Sequence, residues 1–220
     1  MTAGAPAAPH FFAPEAIDLA KILPPPPAPD SIAGRADLEA VLQAQAWRTP
    51  EQVTWAQLVA KGDMFAVYAA GGAFDSWFTK ENLPATAALF KEISEDLRTT
   101  STAYKKLYPR PRPFLADPRI QPCVERPDSG SYPSGHATLI FIWAGVLSEI
   151  FPEKNAEISA CAHRAIWGRV IAGVHFPTDL MGGRLLAEAA VAELKKSPAF
   201  HAAVEKCRAE AQPFLLKKAA

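Results

Sequence analysis

Three short stretches carry residue types that together can grip a tetrahedral oxyanion and pass it to a nitrogen nucleophile: Lys105–Pro113 (KKLYPRPRP), Gly130–His136 (GSYPSGH) and Gly168–Asp179 (GRVIAGVHFPTD). In the first, Lys105 and Arg112 stand seven residues apart. A lysine ammonium is a point charge, and an arginine guanidinium is a planar fork that matches two phosphate oxygens. Pro109 and Pro111 forbid one continuous helix through both, so Lys105 is expected at a helix end and Arg112 in an extended segment. Lys106 and Arg110 read as the solvated part of the same basic patch, favourable to a helix C-terminus. In the second stretch, Ser134 is a natural N-cap and Gly135 lets the backbone approach a ligand closely. The first N–H groups of the following helix would point at an anion placed there, and His136 in the first turn would reach it. In the third, Arg169 adds a cation and Pro177 suits the first turn of a new helix. Asp179 then lies close enough to accept a hydrogen bond from one nitrogen of His175. A carboxylate so placed fixes the tautomer and leaves the other nitrogen unprotonated to attack. Singly, the stretches also read as a basic patch, a capped helix and a structural His–Asp pair. Their conjunction in this order points to phosphoryl chemistry.

The elements that must position these groups read as helices. The chain has 220 residues, enough for one sizeable domain with a real core. Residues 1–34 are rich in Pro, Ala and Gly, with four prolines in a row at Pro24–Pro27. That composition favours polyproline II and a surface-wrapping arm, with a disordered tail as the other reading. Residues 35–220 form the main domain. Thr49-Pro50-Glu51-Gln52 reads as a capping box with Pro at the first helical position. A helix from near Pro84 carries Leu89, Ile93, Leu97 and then Tyr104, and should stop before Pro109. Further helices are expected over 135–150, 154–166, 177–193 and 198–210. Long alternating patterns and Asn-Gly hairpin signals are absent from the sequence. The expected fold is a single all-α domain with no internal repeat.

Composition excludes several functions. With 23 basic and 23 acidic residues, a broad nucleic-acid-binding face is not expected. The longest uncharged stretch, Ser129 to Ser148, begins Gly-, Ser- and Pro-rich; its apolar remainder, Ala137 to Leu147, is too short for a membrane span and reads as a buried helix. Met1–Pro9 has neither a basic nor an apolar signal region and reads as a mature start behind an initiator Met. Cys123, Cys161 and Cys207 allow one disulfide plus one thiol, and are too scattered for a zinc site.

These residues resemble the type 2 phosphatidic acid phosphatase superfamily, whose pattern is Lys-x6-Arg-Pro, Pro-Ser-Gly-His, then Ser-Arg-x5-His-x3-Asp. Lys105 to Pro113, Pro133 to His136 and Arg169 to Asp179 fit it residue by residue. The longer wording at 130–136, and Leu23 with the prolines after it, resemble the bacterial class A non-specific acid phosphatases. The likeness runs from about residue 20 to residue 210. One position departs: the Ser before the third-motif Arg is Gly168 here, and with it goes a hydroxyl that would bind phosphate.

The resemblance implies a helical bundle of the acid phosphatase/vanadium-dependent haloperoxidase type. It implies hydrolysis of small phosphomonoesters with broad specificity, without metal or cofactor, through a phosphohistidine. His175 would be the nucleophile, Asp179 its orienter and His136 the general acid. Lys105, Arg112, Arg169, Ser134 and Gly135 would bind the phosphoryl group, with inorganic phosphate or vanadate as further ligands. It also implies a periplasmic or secreted protein, a homo-oligomer, and a disulfide from Cys123 to Cys161 or Cys207. Nucleic acid and a membrane span are not expected. Other readings stay open: a vanadate-dependent haloperoxidase in which His175 ligates vanadate, a phosphatase acting on lipid phosphates, or a weakly catalytic phosphate-binding protein. Tyr132, Phe114 and Phe176 are candidates for the pocket rim, and the 114–132 loop for a lid or a plain connector. One protonated and one neutral histidine, each near a reference pKa of about 6.5, predict a bell-shaped rate profile with an acidic to near-neutral optimum.

Overall fold

Short polar caps and prolines start most of the helices. The computed structural model describes residues 9–216, and not the side chains of Pro14 and residues 98–104. The expected start at Met1–Ala8 and the side chain of Tyr104 therefore lie outside the described residues. The elements are α1 (Leu19–Ile22), α2 (Ile32–Trp47), α3 (Pro50–Ala60), α4 (Met64–Ala70), α5 (Pro84–Leu107), α6 (Pro113–Ala116), α7 (Gly135–Ile150), α8 (Asn155–Ile171), α9 (Pro177–Leu194) and α10 (Pro198–Leu216). Among the described residues there is no strand, so the fold is all-α. Ser31, Thr49, Asp63 and Ser134 each accept from a backbone N–H of the first turn they cap, which satisfies a donor the helix leaves unpaired. At Thr49 the Gln52 side chain returns the bond, completing the expected capping box. α5 ends at Leu107, short of Pro109, as the proline requires.

The core is built around α7, whose Ala137, Ile140, Ile142, Val146 and Leu147 are buried. It packs most extensively on α9 and then on α8. Gly183 of α9 makes that approach possible. A Cβ there would fall 2.6 Å from the Ser134 carbonyl oxygen and 2.8 Å from the Ala137 Cβ. The N-terminal segment lies along the helices. Asp96 of α5, itself buried, accepts from the backbone N–H groups of His10 (2.8 Å), Phe11 (2.9 Å) and Phe12 (3.4 Å). Phe12, Ile17 and Leu23 then enter the core.

Three expectations change. The last helix, expected to end at residue 210, runs on to Leu216. α8 does not stop near residue 166 but runs on to Ile171, because Gly168–Ile171 pack into the interior and Arg48 Nη1 donates to the Ile171 carbonyl (3.2 Å). Arg169 is therefore a last-turn helix residue. The disulfide implied by the resemblance is absent: all three cysteines are free thiols. Cys161 sits against the Val67 carbonyl, Cys207 beside Thr86, and the Cys123 N–H donates to the Ala172 carbonyl, three separate places in the fold.

Gly183→Ala should lower unfolding stability by about 1–3 kcal/mol, the usual cost of overpacking. Denaturant melts check this; an unchanged midpoint would mean the two helices separate freely.

Candidate active site

Each motif reaches the site from the end of an element. Lys105 projects from the last turn of α5. The Pro109–Pro111 stretch carries the chain to Arg112, just before α6. Ser134 and Gly135 open α7. Arg169 sits in the last turn of α8, and Gly173, at φ 74°, lets the chain turn out of that helix toward His175. Asp179 lies in the first turn of α9.

The structure brings the predicted residues into one cluster. His175 Nδ1 lies 3.3 Å from Asp179 Oδ2, and Nε2 lies 2.9 Å from Arg112 Nη1. The carboxylate can only accept and the guanidinium can only donate. The neutral ring therefore carries its proton on Nδ1 and a lone pair on Nε2. Arg112 also donates to the Ser129 carbonyl (2.8 Å) and to the Val174 carbonyl (2.9 Å). Lys105 donates to the carbonyls of Gly130 (2.8 Å) and Pro133 (3.0 Å). Ser134 caps α7 through Ala137 N–H (3.2 Å), while its own N–H donates to the Asp179 carbonyl (2.9 Å). His136 Nε2 approaches the Ala60 carbonyl (3.3 Å). Ala60 lines an open surface depression with Gln57, Pro122, Cys123, Val124 and Glu125.

Charge is the site's dominant property. Among the described residues, Lys105, Arg112 and Arg169 have no carboxylate in an ion pair. Arg169 is 2% exposed, and its Nε and Nη1 have no hydrogen-bond partner at all. Burial, and then the neighbouring Arg112, push its pKa down to about 10, so it stays charged at neutral pH. Burial lowers Lys105 to about 8, with Arg112 adding to the effect. Burial also pushes His175 down to about 3, outweighing the bond to Asp179. His136 falls to about 4 through burial and then through Arg169. For Asp179, burial alone would raise the carboxyl, but His175, Arg110 and Ser131 hold it below its ordinary value. The resting cluster thus holds an ionised Asp179, a neutral His175 and three cations of which none is ion-paired to a carboxylate among the described residues, a charge arrangement suited to an anion.

Several residues differ from the sequence reading. Arg110 is not part of a solvated patch. Its guanidinium is 9% exposed and donates to Asp179 Oδ1 (2.7 Å), Asp37 Oδ2 (2.8 Å) and Thr178 Oγ1 (2.8 Å). The prolines on either side of it were the available signal, since an arginine held between them is not on a helix surface. Asp37 of α2 carried no signal of its own. Ser131, which donates to Asp179 Oδ2 (2.5 Å), was also missed. Tyr132 is a buried structural residue, and Phe176, also buried, lines a separate cavity of about 260 Å³ with Pro26, Pro27 and Arg110. The Tyr132 hydroxyl donates to the Pro24 carbonyl (2.7 Å), and the Phe176 ring lies under the Arg110 guanidinium at 4.1 Å. Phe114 is half-buried beneath Arg126. A Cβ at Gly168 would rest 3.5 Å from Trp55 and 3.6 Å from Ala56, so the departing position faces α3.

The chain is similar to known phosphatases. The model of the PAP2 superfamily matches residues 85–200. A non-specific acid phosphatase of Providencia stuartii is 31% identical over 89% of this chain and 82% of its own length. One from Salmonella typhimurium is 30% identical over 91% and 83%. A crystal structure of a transmembrane PAP2-type phosphatidylglycerolphosphate phosphatase from Bacillus subtilis superposes with a TM-score of 0.52, at 22% identity, over 76% of this chain and 87% of that one. That likeness shows the fold. Among the described residues here, no helix is long and apolar enough to cross a membrane.

The orphaned charge of Arg169 separates stability from binding. Arg169→Met should stabilise the phosphate-free protein by about 1–2 kcal/mol, since it removes a buried, unpaired ion. It should weaken phosphate binding by about a hundredfold, the scale of a charge-assisted bond. Thermal melts with and without phosphate read both effects. A variant that is less stable and still binds would show that Arg169 is held by the protein and not by the ligand.

Proposed function

The chain belongs to the PAP2 superfamily and stands among its acid phosphatases, and we propose that it hydrolyses small phosphate monoesters through a phosphohistidine formed on His175. The observation that carries this reading is the pairing of a buried imidazole, unprotonated at Nε2, with three cations that have no carboxylate partner. In the proposed reaction, Lys105, Arg112 and Arg169 take the phosphoryl oxygens. The Gly135 and His136 N–H groups at the start of α7, which have no acceptor within the helix, assist them. Lys105 and Arg112 now rest on carbonyls of residues 129, 130, 133 and 174, so binding exchanges those neutral acceptors for charged ones. Arg112 Nη1 passes from His175 Nε2 to a phosphoryl oxygen and frees the lone pair. Nε2 attacks phosphorus, the ester P–O bond breaks, and the leaving oxygen takes a proton from His136. Water then attacks phosphorus, its proton goes to His136, and the N–P bond breaks to release phosphate. The positive charge on the phosphorylated ring faces Asp179. Positioning and charge neutralisation supply most of what phosphoryl transfer needs.

His136 explains why the reaction would be acidic. Its pKa of about 4 in the empty site means it is neutral when substrate arrives. A phosphate ester loses its second proton at about pH 6, so below that pH the monoanion brings the proton in. Once bound, the phosphoryl group offsets the cations that depress His136 and the imidazole can hold that proton. The leaving group would lie toward His136, its proposed proton donor, and broad specificity is what the class A resemblance supports. The class A resemblance supports work in the periplasm or outside the cell, and a homo-oligomer.

Turnover of p-nitrophenyl phosphate at about pH 5–6 should resist EDTA, be inhibited by orthovanadate, and vanish in His175→Ala. With an added alcohol, the fraction of phosphate transferred to it should be the same for every leaving group, as a shared covalent intermediate requires. His136→Ala should cost about 10²–10⁴-fold in kcat/KM on alkyl phosphates and far less in kcat/KM on p-nitrophenyl phosphate, whose leaving group needs little help; the water-attack step, shared by both, should slow alike. Turnover surviving in His175→Ala would refute the proposal. Peroxide-dependent halide oxidation with vanadate, in place of hydrolysis, would move the reading to a haloperoxidase.

The pH profile is a separate test. kcat/KM should peak between about pH 4, where His136 and His175 are deprotonated, and about pH 6. It should fall further above about pH 8 as Lys105 loses its charge. The limb near pH 6 belongs to the substrate, so it should move among monoesters with their own second phosphate pKa. A limb fixed at one pH for all of them would assign it to a protein group instead.

A further inference from the structure

We propose that Arg110 is a positioning residue for the nucleophile, holding the Asp179 carboxylate ionised and aligned behind His175, with Asp37 as the second carboxylate that limits its pull. The proposal rests on the reading of His175 as nucleophile. Arg110 does not touch the imidazole. It acts one step behind it, through Asp179.

The geometry is a line of alternating charges. Asp37 Oδ2 lies 2.8 Å from Arg110 Nη2, Arg110 Nη1 lies 2.7 Å from Asp179 Oδ1, and Asp179 Oδ2 lies 3.3 Å from His175 Nδ1. The three charged side chains are 3%, 9% and 0% exposed, so water does little to screen them. Asp179 divides its work between its oxygens. Oδ1 takes Arg110, while Oδ2 takes the Ser131 hydroxyl, the Phe176 N–H (2.8 Å) and His175. A carboxylate anchored at Oδ1 cannot rotate its other oxygen away from the imidazole. Arg110 is itself fixed on three sides: its face lies over Phe176, Nη1 also reaches Thr178 Oγ1, and the Thr178 hydroxyl and N–H hold Asp37 in turn.

The charge consequence follows from the order of the groups. His175 must be neutral to attack and must bear positive charge once phosphorylated. A bare Asp179 would favour the charged ring in both stages and would raise the proton affinity of the nucleophile. Arg110 reduces the field of Asp179 at the ring. Asp37 shares the guanidinium, so that reduction is partial. The groups facing His175 are Asp179 from α9, Arg112 from the segment before α6, and Arg169 from α8, with His136 and Lys105 beyond them. Arg110 and Asp37 adjust only the first of these.

A purely structural role, stapling α2 to α9, would also make Arg110 substitutions destabilising, so stability does not discriminate. The ring titration of His175 does. It can be followed by NMR in the phosphate-free protein and assigned by its loss in His175→Ala. Arg110→Gln should raise the His175 pKa by about one unit or more, a tenfold change in proton affinity. Arg110→Lys, which keeps the charge, should restore it to within a few tenths. Asp37→Asn, which releases Arg110 fully onto Asp179, should shift it the other way. Should Arg110→Gln alone fail to fold, the double variant Asp37→Asn with Arg110→Gln removes one charge of each sign and should still titrate above wild type. A His175 pKa that stays put in these variants while their melting temperatures fall would overturn the proposal. Turnover persisting in His175→Ala would instead remove the nucleophile reading on which it rests, and the ring titration would be unaffected by that result.

Discussion

Uncompensated positive charge is the constraint that organises this structure. Burying an ion without a partner costs several kcal/mol, and the chain does so at Arg169 with two of its nitrogens left bare. Lys105 and Arg112 are treated more gently, since backbone carbonyls of the 129–133 stretch and of Val174 accept from them. A carbonyl satisfies the hydrogen-bond geometry but cancels no net charge. The site is therefore preorganised for an anion, with donors aimed and acceptors that exchange readily. Such preorganisation has to be held by the surrounding packing, and this is where the fold enters.

α7 and α9 provide the holding. Gly183 lets α9 lie against the first turn of α7, so the Ser134 N–H reaches the Asp179 carbonyl. The helix end that would meet phosphate and the helix end that orients His175 are thereby one unit. Arg110 then ties that unit to α2 through Asp37, across 73 residues of sequence. The negative charges needed to bury Arg110 thus lie behind His175, and neither is ion-paired to the three cations in front of it. That separation of charge, carboxylates behind the imidazole and cations before it, would make the ring a nucleophile toward an anion.

What could be read in the sequence was what is decided locally. Caps, proline punctuation and helical periodicity act over a few residues, so Thr49, Pro84, Ser134 and Pro177 mark helix starts that the structure contains. The close spacing of His175 and Asp179 likewise set out a contact that exists. The partners of Arg110 are different. Asp37 and Asp179 are far away in the chain, and nothing in Arg110's own neighbourhood names them beyond its two flanking prolines. The end of α8 has a related cause: burial against α3 and the Arg48 guanidinium, both distant in sequence, carry the helix past the expected residue 166 to Ile171. The aromatic residues were misplaced because tertiary packing decides whether a ring beside a motif lines a pocket or fills the core. Tyr132 fills it, and Phe176, also buried, lines a separate cavity.

The two histidines show why the site's pH behaviour could not be read from residue types alone. Reference values would place both near neutrality and make them compete over the same range. In the structure both lie far lower. His175 is depressed by near-complete burial, with Arg112 and Arg169 adding to it, against the attraction of Asp179. His136 is depressed by burial and then by Arg169, Arg112 and Lys105. A bound phosphoryl group would offset the cations at both rings and leave the burial of both. What separates the rings is where their nitrogens would face. The Nε2 lone pair of His175 would be taken up by phosphorus, while His136 would stay free to hold the proton. In the proposed reaction the assignment of roles is then a property of the complex, set by which ring faces phosphorus and which faces the leaving oxygen.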